Sequence, residues 1–178
     1  MAVTLKKKLH PLVRGVILNI NNPHVETVAE VLCDSSPMTA EDISKLTHIH
    51  RDGVSKALIL LNEAGLVRWI ELPRNKIIWN MTTKNALTII RDKLSMTLDN
   101  LRSRLEYERE NEGFYVCPNG HVRYTLDEAT EAGYICPECL EELAYEKNSY
   151  MIEELEDQIT RLEKLVSRYN EAIAACSE

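Results

Sequence analysis

The sequence predicts a mostly α-helical protein with small β elements. Apolar residues recur at helical spacing through most of the 178 residues, two alternating segments predict strands, and cysteines cluster with a histidine after residue 116. From these observations we expect an N-terminal winged helix-turn-helix over residues 1–82, a long connecting helix over 83–113, a zinc ribbon over 114–147 and a terminal coiled-coil-like helix over 148–178.

The first helical faces lie before residue 35. One helix begins near Pro11, or a kinked helix runs from Leu5, because proline is tolerated in a first turn but breaks a helix interior. Residues 21–23 interrupt the chain, and a second helix follows until the polar segment from Asp34 to Pro37 stops it. Its apolar positions are Val25, Val28, Ala29, Val31 and Leu32.

Two short helices joined by a tight turn come next, which is the pattern of a helix-turn-helix. Thr39 and the acidic residues after it predict an N-cap, and Ile43 and Leu46 are expected to form the buried side of the first helix. The second helix should run over Arg51–Ala64 and stop at Gly65. Its buried face is predicted to contain Val54, Ala57, Leu58 and Leu61.

Residues 66–72 and 76–81 alternate as strands, and the three residues between them form the tip of a wing. Together with the preceding helices they predict a winged helix. Trp79 and Met81 are interpreted as core residues of the last strand. Trp69 is either a core residue or part of an apolar wing surface that meets a partner.

The winged helix has few basic residues at the positions that would face DNA. Its candidate recognition helix offers Arg51, Ser55 and Lys56 as possible DNA-facing side chains, and acidic residues on the same helix oppose them. The wing adds only Arg74 and Lys76. Because base-specific readout uses several Arg, Lys, Asn or Gln side chains on an exposed helix face, this pattern favours a winged helix that faces protein.

Two long helices are expected on either side of the cysteine cluster. The first begins at Thr83 and continues without glycine or proline until Gly113. The second holds a near-heptad stripe from Ile152 to Ile173, and its partner is left open among the first long helix, a second copy of the chain and another protein. Charged residues interpreted as a solvated face of the first helix are Arg102, Arg104, Glu106 and Glu108.

The cysteine cluster has the spacing of a zinc ribbon. Cys136 and Cys139 are separated by two residues, whereas in the other arm Gly120 stands where a second cysteine would complete the site. We therefore expect a structural zinc bound by Cys117, His121, Cys136 and Cys139. The alternative is a metal-free ribbon in which the cysteines are small buried side chains.

Composition limits the classes of function. No disulfide framework, signal peptide or membrane-spanning segment is expected, so the predicted location is the cytoplasm, and no catalytic constellation can be assembled, so an enzyme is not expected. Basic and acidic side chains number ten and eight over residues 1–80, six and six over 81–113, and five and fourteen over 114–178. The acidic C-terminal part should avoid duplex DNA and suit a basic protein surface.

Several motifs carry a resemblance to a known family. They are Met38–Leu46, Val54–Leu58 and Leu61–Val67 in the winged helix, Arg104–Glu108 before the ribbon, and Tyr115–Pro118, Arg123–Ala129 and Cys136–Cys139 inside it. In this order, and over nearly its whole length, the chain resembles the alpha subunit of general transcription initiation factor E in its archaeal form. The Arg-Tyr-x-x-x-Glu-Ala insert beside the Cys-Pro knuckles is the most specific part.

The resemblance implies a non-catalytic factor that joins RNA polymerase with the TATA-binding protein and transcription factor B and assists promoter opening. It implies that the winged helix sits on the polymerase clamp and that the ribbon lies between clamp and stalk. The chain is then expected to act as a monomer or with a beta-type subunit, away from membranes. A contact with the polymerase and with non-template DNA is implied at Trp69, Arg74, Lys76 and Trp79.

The chain departs from the family pattern at Gly120, which replaces a ligand cysteine, and at Leu140, where a glycine commonly follows the last knuckle.

A second hypothesis for the function is a metal-responsive, dimeric winged-helix repressor that pairs through its long helices. That hypothesis predicts a symmetric dimer, half-sites about one helical turn apart and strong preference for a specific duplex.

Overall fold

The structure is a computed structural model that describes residues 9–33 and 35–176. The predictions for Leu5 and Asp34 lie outside these residues. Within them, no helix is both long enough and apolar enough to cross a membrane.

The elements are α1 (Pro11–Ile17), α2 (Val25–Leu32), α3 (Ala40–Thr47), α4 (Arg51–Glu63), β1 (Arg68–Leu72), β2 (Lys76–Asn80), α5 (Thr83–Glu110), β3 (Phe114–Val116), β4 (Arg123–Tyr124), α6 (Leu126–Glu131), β5 (Ala144–Glu146) and α7 (Ser149–Ala175).

Contacts divide the described chain into two compact units. Unit 1 contains the described residues up to Lys93 and those from Val166 onward, and unit 2 is Leu94–Leu165. Both α5 and α7 contribute residues to each unit. The two long helices therefore belong partly to the winged-helix portion and partly to the ribbon portion.

Helix α1 begins at Pro11, as the first of the two sequence alternatives predicts. A proline at this position loses no hydrogen bond, because the first N–H groups of a helix have no partner within it. The Nδ1 atom of His10 accepts a hydrogen bond from the N–H of Leu12 at 3.3 Å. Val13 and Ile17 face the core from this helix.

Helices α2, α3 and α4 form the core of unit 1. A capping box starts α3, because Thr39 Oγ1 accepts a hydrogen bond from the Asp42 N–H at 3.1 Å and the Asp42 carboxylate accepts one from the Thr39 N–H at 3.2 Å. This cap is the one that the sequence predicts. The buried core positions on these helices are Val25, Val28, Ala29, Leu32, Ile43, Val54, Ala57, Leu58 and Leu61.

The prediction that Leu46 is buried was wrong. Its side chain is 48% exposed, whereas Ile43 on the same helix is fully buried. Leu46 lies in the last turn of the eight-residue α3, directly before His48 reverses the chain in a left-handed conformation with φ 57°. The helix ends before its second apolar residue can be covered.

Strands β1 and β2 form an antiparallel hairpin, which is the wing. Arg74 and Asn75 at its tip adopt positive φ values of 69° and 56°. At the other end, backbone hydrogen bonds of 2.7 and 3.0 Å join Trp79 to Met38, so a short third segment pairs with the hairpin beside the helices. This order of helices and strands is that of a winged helix.

Trp69, Trp79 and Met81 lie in different environments. Met81 is buried, as predicted, but Trp79 is only partly buried. Trp69 is 52% exposed, so it is not a core residue and forms part of an exposed apolar wing surface. The difference has a simple cause, because only the base of the hairpin reaches the helices and the rest extends beyond them.

In unit 2, the C-terminal part of α5 packs against α7 of the same chain. Leu98 and Leu105 contact Leu155 and Ile159, and Leu101, Ile152 and Leu162 pack around them. Two ion pairs flank this core, from Arg102 to Glu163 and from Arg109 to Glu156, each at 2.7 Å. Of the partners that the sequence left open for the terminal helix, the structure contains the first long helix.

The ribbon is a three-stranded antiparallel sheet with β3 in the centre, between β4 and β5. Helix α6 follows β4 and begins with a second capping box, made by Thr125 and Glu128. Its small core is built from Cys117, Ala129, Cys136 and Leu143. Two of the four core residues are cysteines, so this segment has few apolar side chains with which to stabilise itself.

The interpretation of Glu108 as part of a solvated face was wrong. Its side chain is fully buried and accepts hydrogen bonds from Arg123 at 2.9 and 3.1 Å and from Asn148 Nδ2 at 2.9 Å. Arg104, one turn earlier on α5, adds an ion pair at 2.6 Å. The Arg123 guanidinium also lies 3.4 Å from the centre of the Phe114 ring.

This network joins the end of α5 to β4 and to the residue before α7. Burial by itself raises the pKa of the Glu108 carboxyl, but the hydrogen bonds from Arg123 and Asn148 and the charges of Arg123 and Arg104 outweigh it, and the pKa is lowered. The carboxylate is therefore the form that unit 2 stabilises.

Replacing Glu108 with glutamine should lower the free energy of unfolding of unit 2 by about 2 kcal/mol, because the arginines lose their charged partner. Urea unfolding followed at the ribbon measures this change. The matched control is Glu106→Gln, since Glu106 is exposed on the same helix.

The effect of Glu108→Gln should also depend on pH. A carboxyl whose pKa is lowered on folding stabilises the protein above its unfolded pKa of about 4.3, and this contribution is lost as the pH falls through the folded pKa. The difference in unfolding midpoint between wild type and variant should thus shrink in acid. An equal difference at neutral and acidic pH would contradict the assignment of this network.

Candidate metal centre and wing surface

The four predicted ligands meet at one end of the ribbon. Cys117 directly follows β3, His121 lies in the turn before β4, and Cys136 and Cys139 lie in the loop after α6. One ligand atom from each residue lies within 4.8 Å of those of the other three. Gly120 replaces a cysteine in the sequence pattern. The set of four ligands is nevertheless complete, because His121 supplies the remaining ligand atom.

Each arm of the site is a tight turn closed by backbone hydrogen bonds. In the first arm, the Gly120 N–H donates to the Cys117 carbonyl at 2.8 Å, and Gly120 has a φ of 75°. In the second arm, the Leu140 N–H donates to the Cys136 carbonyl at 2.9 Å, and Leu140 has a φ of 60°. Each arm thus contains a residue in the left-handed conformation, which favours glycine, three residues after Cys117 in the first arm and four residues after Cys136 in the second.

The distances between ligand atoms fit a tetrahedral zinc ion. Zn–S and Zn–N bonds of about 2.3 and 2.0 Å place neighbouring ligand atoms roughly 3.6–3.8 Å apart. The Sγ atoms of Cys117 and Cys139 are 3.5 Å apart, and His121 Nδ1 lies 3.7 Å from the Sγ atoms of both Cys117 and Cys136. The cysteines are free thiols, and three sulfurs with one imidazole are ligands that zinc prefers.

The surroundings of the sulfurs alter their protonation. A hydrogen bond from Asn119 Nδ2 at 3.5 Å, helped by the backbone of Glu141, lowers the pKa of Cys139 to about 6. Burial raises the pKa of Cys136. Because the thiolate is the form that binds metal, Cys139 is ready to act as a ligand at neutral pH. Asn119 was missed by the sequence reasoning, although its place between Cys117 and Gly120 in a tight turn was visible.

Such a site suits a structural role. Four protein ligands complete a tetrahedral set and leave no open position for a substrate. Metal binding would also stabilise a segment whose own apolar core is small. The residues present therefore fit zinc, which would hold the two arms of the ribbon together.

A second group of candidate residues lies on unit 1 around a concave surface of about 570 Å³. Arg51 and Ser55 reach it from α4, and Lys76 and Trp79 reach it from β2. Lys45 lines it as well, paired with Glu41 at 2.7 Å, and a hydrogen bond from Lys45 lowers the pKa of Glu41. Both were missed because nothing in the sequence places α3 beside the wing.

The remaining candidate residues lie outside this concave surface. Trp69 is opposite Trp79 in the hairpin, so the two side chains are on the same face of the wing. Arg74 is at the exposed tip, and Lys56 is exposed on α4. The structure thus joins four of the seven candidates in one surface and leaves three at its border or beyond it.

The wing exposes an unusual amount of apolar surface. Ile70 is 49% exposed and Ile77 is 46% exposed, in addition to Trp69, and Leu72 is 37% exposed. By strand alternation, Trp69 and Ile77 lie on one face of the hairpin and Ile70 and Leu72 on the other. An apolar hairpin of this kind is typical of a surface that contacts a partner.

Comparison with known proteins gives a consistent result. Residues 11–110 match the family model described as the TFIIE alpha subunit. The chain is 33% identical to Transcription factor E of Methanocaldococcus jannaschii over 161 residues, which is 86% of this chain and 92% of the relative. It is 29% identical to Transcription factor E of Methanobrevibacter smithii over 174 residues, covering 93% and 98%, and 30% identical to that of Metallosphaera sedula over 151 residues, covering 81% and 84%.

Replacing Cys136 and Cys139 with serine should abolish zinc binding and unfold the ribbon while leaving Val25–Met81 folded, because two of the four ligands are lost. Bound zinc measured by elemental analysis and limited proteolysis test this outcome. Cys176→Ser is the control, since Cys176 lies outside the ribbon. Undiminished protease resistance of the ribbon in the double variant would rule out a structural metal.

Replacing Leu140 with glycine should raise the free energy of unfolding of unit 2 by about 1 kcal/mol, because glycine adopts the left-handed conformation without steric cost. Little packing is lost, since the Leu140 side chain is 79% exposed. Chemical denaturation of the zinc-loaded protein provides the measurement. Glu138→Gly in the same loop, where φ is not positive, should instead be neutral or destabilising.

Proposed function

The chain belongs to the TFIIE alpha subunit family of transcription initiation factors, and from this we propose that it is a general factor that binds RNA polymerase at promoters. It acts there together with the TATA-binding protein and transcription factor B, stabilises the preinitiation complex and assists opening of the DNA. It shifts the polymerase towards the open state by binding that state more tightly.

The exposed apolar wing is the observation that carries this proposal. A hairpin with apolar side chains on both faces is costly to expose, and a protein surface such as the polymerase clamp would cover it. Trp69 and Trp79 lie on one face, Lys76 lines the same concave surface as Trp79, and Arg74 is at the tip. The large aromatic side chains supply contact area, and the cations supply attraction to acidic or phosphate groups.

The same residues suit single-stranded DNA better than a duplex. Bases stack on exposed aromatic rings with about 1–3 kcal/mol each, while a few cations give only weak affinity for a phosphate backbone. Arg51, Ser55 and Lys56 on α4 offer too few donors for reading a specific sequence. We therefore assign the wing to the polymerase and to the non-template strand near the bubble.

The ribbon serves as a second point of attachment in this proposal. Zinc held by its three cysteines and one histidine keeps its fold, and its acidic surface suits a basic surface of the polymerase between clamp and stalk. The protein works as a monomer or with a beta-type subunit.

The alternative of a dimeric, metal-responsive repressor is less well supported. It requires long helices that pair with a second copy, but in unit 2 the apolar positions of α7 are packed against α5 of the same chain. It also requires a recognition helix richer in base-reading side chains. A symmetric dimer with a tight preference for one duplex, without polymerase binding, would restore it.

The proposal is tested by mixing the purified protein with archaeal RNA polymerase and, separately, with promoter and random duplex DNA, followed by size-exclusion chromatography. Co-elution with polymerase and no stable shift with either duplex is expected. Light scattering on the same samples reports the oligomeric state. Failure to co-elute with polymerase, in the presence of the TATA-binding protein and transcription factor B, would refute the proposal.

Wing variants should weaken the polymerase complex by about tenfold or more, because a large aromatic side chain and a tip cation are removed from the contact. The variants are Trp69→Ala and Arg74→Asn, and asparagine is chosen because it tolerates the positive φ at the tip. Met96→Ala, which truncates a 68% exposed apolar side chain outside the wing, should have no effect. If all three variants bind polymerase equally well, the wing is not part of the interface.

A further inference from the structure

Unit 2 contains a concave surface that holds none of the metal-binding residues and includes part of the acidic ribbon surface described above. It has a volume of about 630 Å³ and lies where the end of α5, the sheet and the start of α6 meet. Tyrosine rings and carboxylates dominate it, so it is termed the tyrosine groove. It is defined here by Tyr107, Tyr115, Tyr145, Glu110, Glu112 and Asp127.

The tyrosine rings are held in place by the fold. Tyr115 and Tyr145 are direct partners on β3 and β5, with ring centres 5.4 Å apart. The Tyr145 hydroxyl donates a hydrogen bond to the Glu112 carbonyl at 3.1 Å. Gly113 permits this arrangement, because a Cβ atom there would lie only 2.5 Å from the Tyr145 hydroxyl oxygen. The groove is therefore formed before any ligand binds.

The rings are nevertheless open to solvent. Tyr107 is 39% exposed and Tyr145 is 49% exposed, and Leu126 beside them is 57% exposed. Ring faces of tyrosine carry negative charge density and attract cations. One example is internal to the protein, since the Arg104 guanidinium lies 5.2 Å from the centre of the Tyr107 ring.

The charge of the groove has one sign. Its charged side chains are Glu110, Glu112 and Asp127, and no lysine or arginine lines it within the described chain. None of these three carboxylates forms an ion pair with another described residue. Glu156, also on unit 2, is by contrast paired with Arg109. The groove thus presents unpaired negative charge beside aromatic faces.

We propose that the tyrosine groove binds a lysine- or arginine-rich segment of a protein partner. A cationic head group would lie against a tyrosine face while the carboxylates neutralise its charge. The volume exceeds that of a single side chain, so an extended segment fits better than an isolated cation. Nucleic acid is disfavoured, because its phosphates would meet three carboxylates with no cation to balance them.

The first test uses the full-length, zinc-loaded protein and a fluorescently labelled arginine- and lysine-rich peptide, with binding followed by anisotropy. A peptide in which citrulline and norleucine replace these residues removes the charge and should not bind. The groove variant carries Glu110→Gln, Glu112→Gln and Asp127→Asn. Its control carries Glu131→Gln, Glu142→Gln and Asp157→Asn, which make the same change in net charge at exposed positions outside the groove.

The groove variant should bind the basic peptide about tenfold more weakly, whereas the control should lose much less. Equal losses in both variants would mean that only the overall acidity attracts the peptide, and the proposal would fail. Absence of saturable binding to the wild-type protein would overturn it as well. So would equally tight binding of the uncharged peptide.

A second pair of variants tests the aromatic part. Tyr145→Ala should also weaken binding about tenfold, while Tyr150→Ala, at a 77% exposed tyrosine outside the groove, should not. Tyr145→Phe separates folding from binding, because it keeps the ring and removes only the hydroxyl hydrogen bond. Full affinity in Tyr145→Ala would exclude the ring from the site and overturn the proposal. The assay contains no polymerase, so its outcome is independent of the function assigned to the wing.

Discussion

The ribbon unit depends on one buried negative charge. A carboxylate removed from water is tolerated only when cations and hydrogen-bond donors surround it, and Glu108 obtains them from Arg104, Arg123 and Asn148. These partners come from the same helix, from β4 and from the residue before α7. Their convergence fixes the end of α5 against the sheet and sets where α7 begins. The tyrosine groove lies beside this junction, since Tyr107 precedes Glu108 on α5.

The metal centre depends on backbone geometry as much as on ligand type. Both of its arms reverse through a left-handed residue, at Gly120 and at Leu140, and this conformation brings the sulfurs and the imidazole to one point. The loss of a ligand cysteine at Gly120 is offset by His121, one residue later. Leucine at position 140 keeps the turn at a cost in conformational energy that a glycine would not have. The site therefore holds a zinc-compatible ligand set even though its sequence is irregular.

The winged helix shows the opposite arrangement, in which apolar groups are left outside the core. Its helices bury a shared apolar core, but the hairpin joins them at its base, where Met38 pairs with Trp79 and Cys33 with Met81. Beyond that point, Trp69 and Ile70 face solvent on opposite sides of the wing. A fold that stabilises itself by its helices can present such a hairpin to a partner without losing its own core.

The sequence by itself determined the helices, the wing, the cysteine and histidine positions and the family, because these follow from periodicity, capping residues and short motifs that act locally. The capping box at Thr39 and the start of α1 at Pro11 are examples. Only the tertiary structure decided that Glu108 is buried, that Leu46 is exposed and that α7 pairs with α5 in unit 2. These outcomes depend on which distant segments cover a given side chain, and a charged or apolar residue on a helix carries no local signal of that.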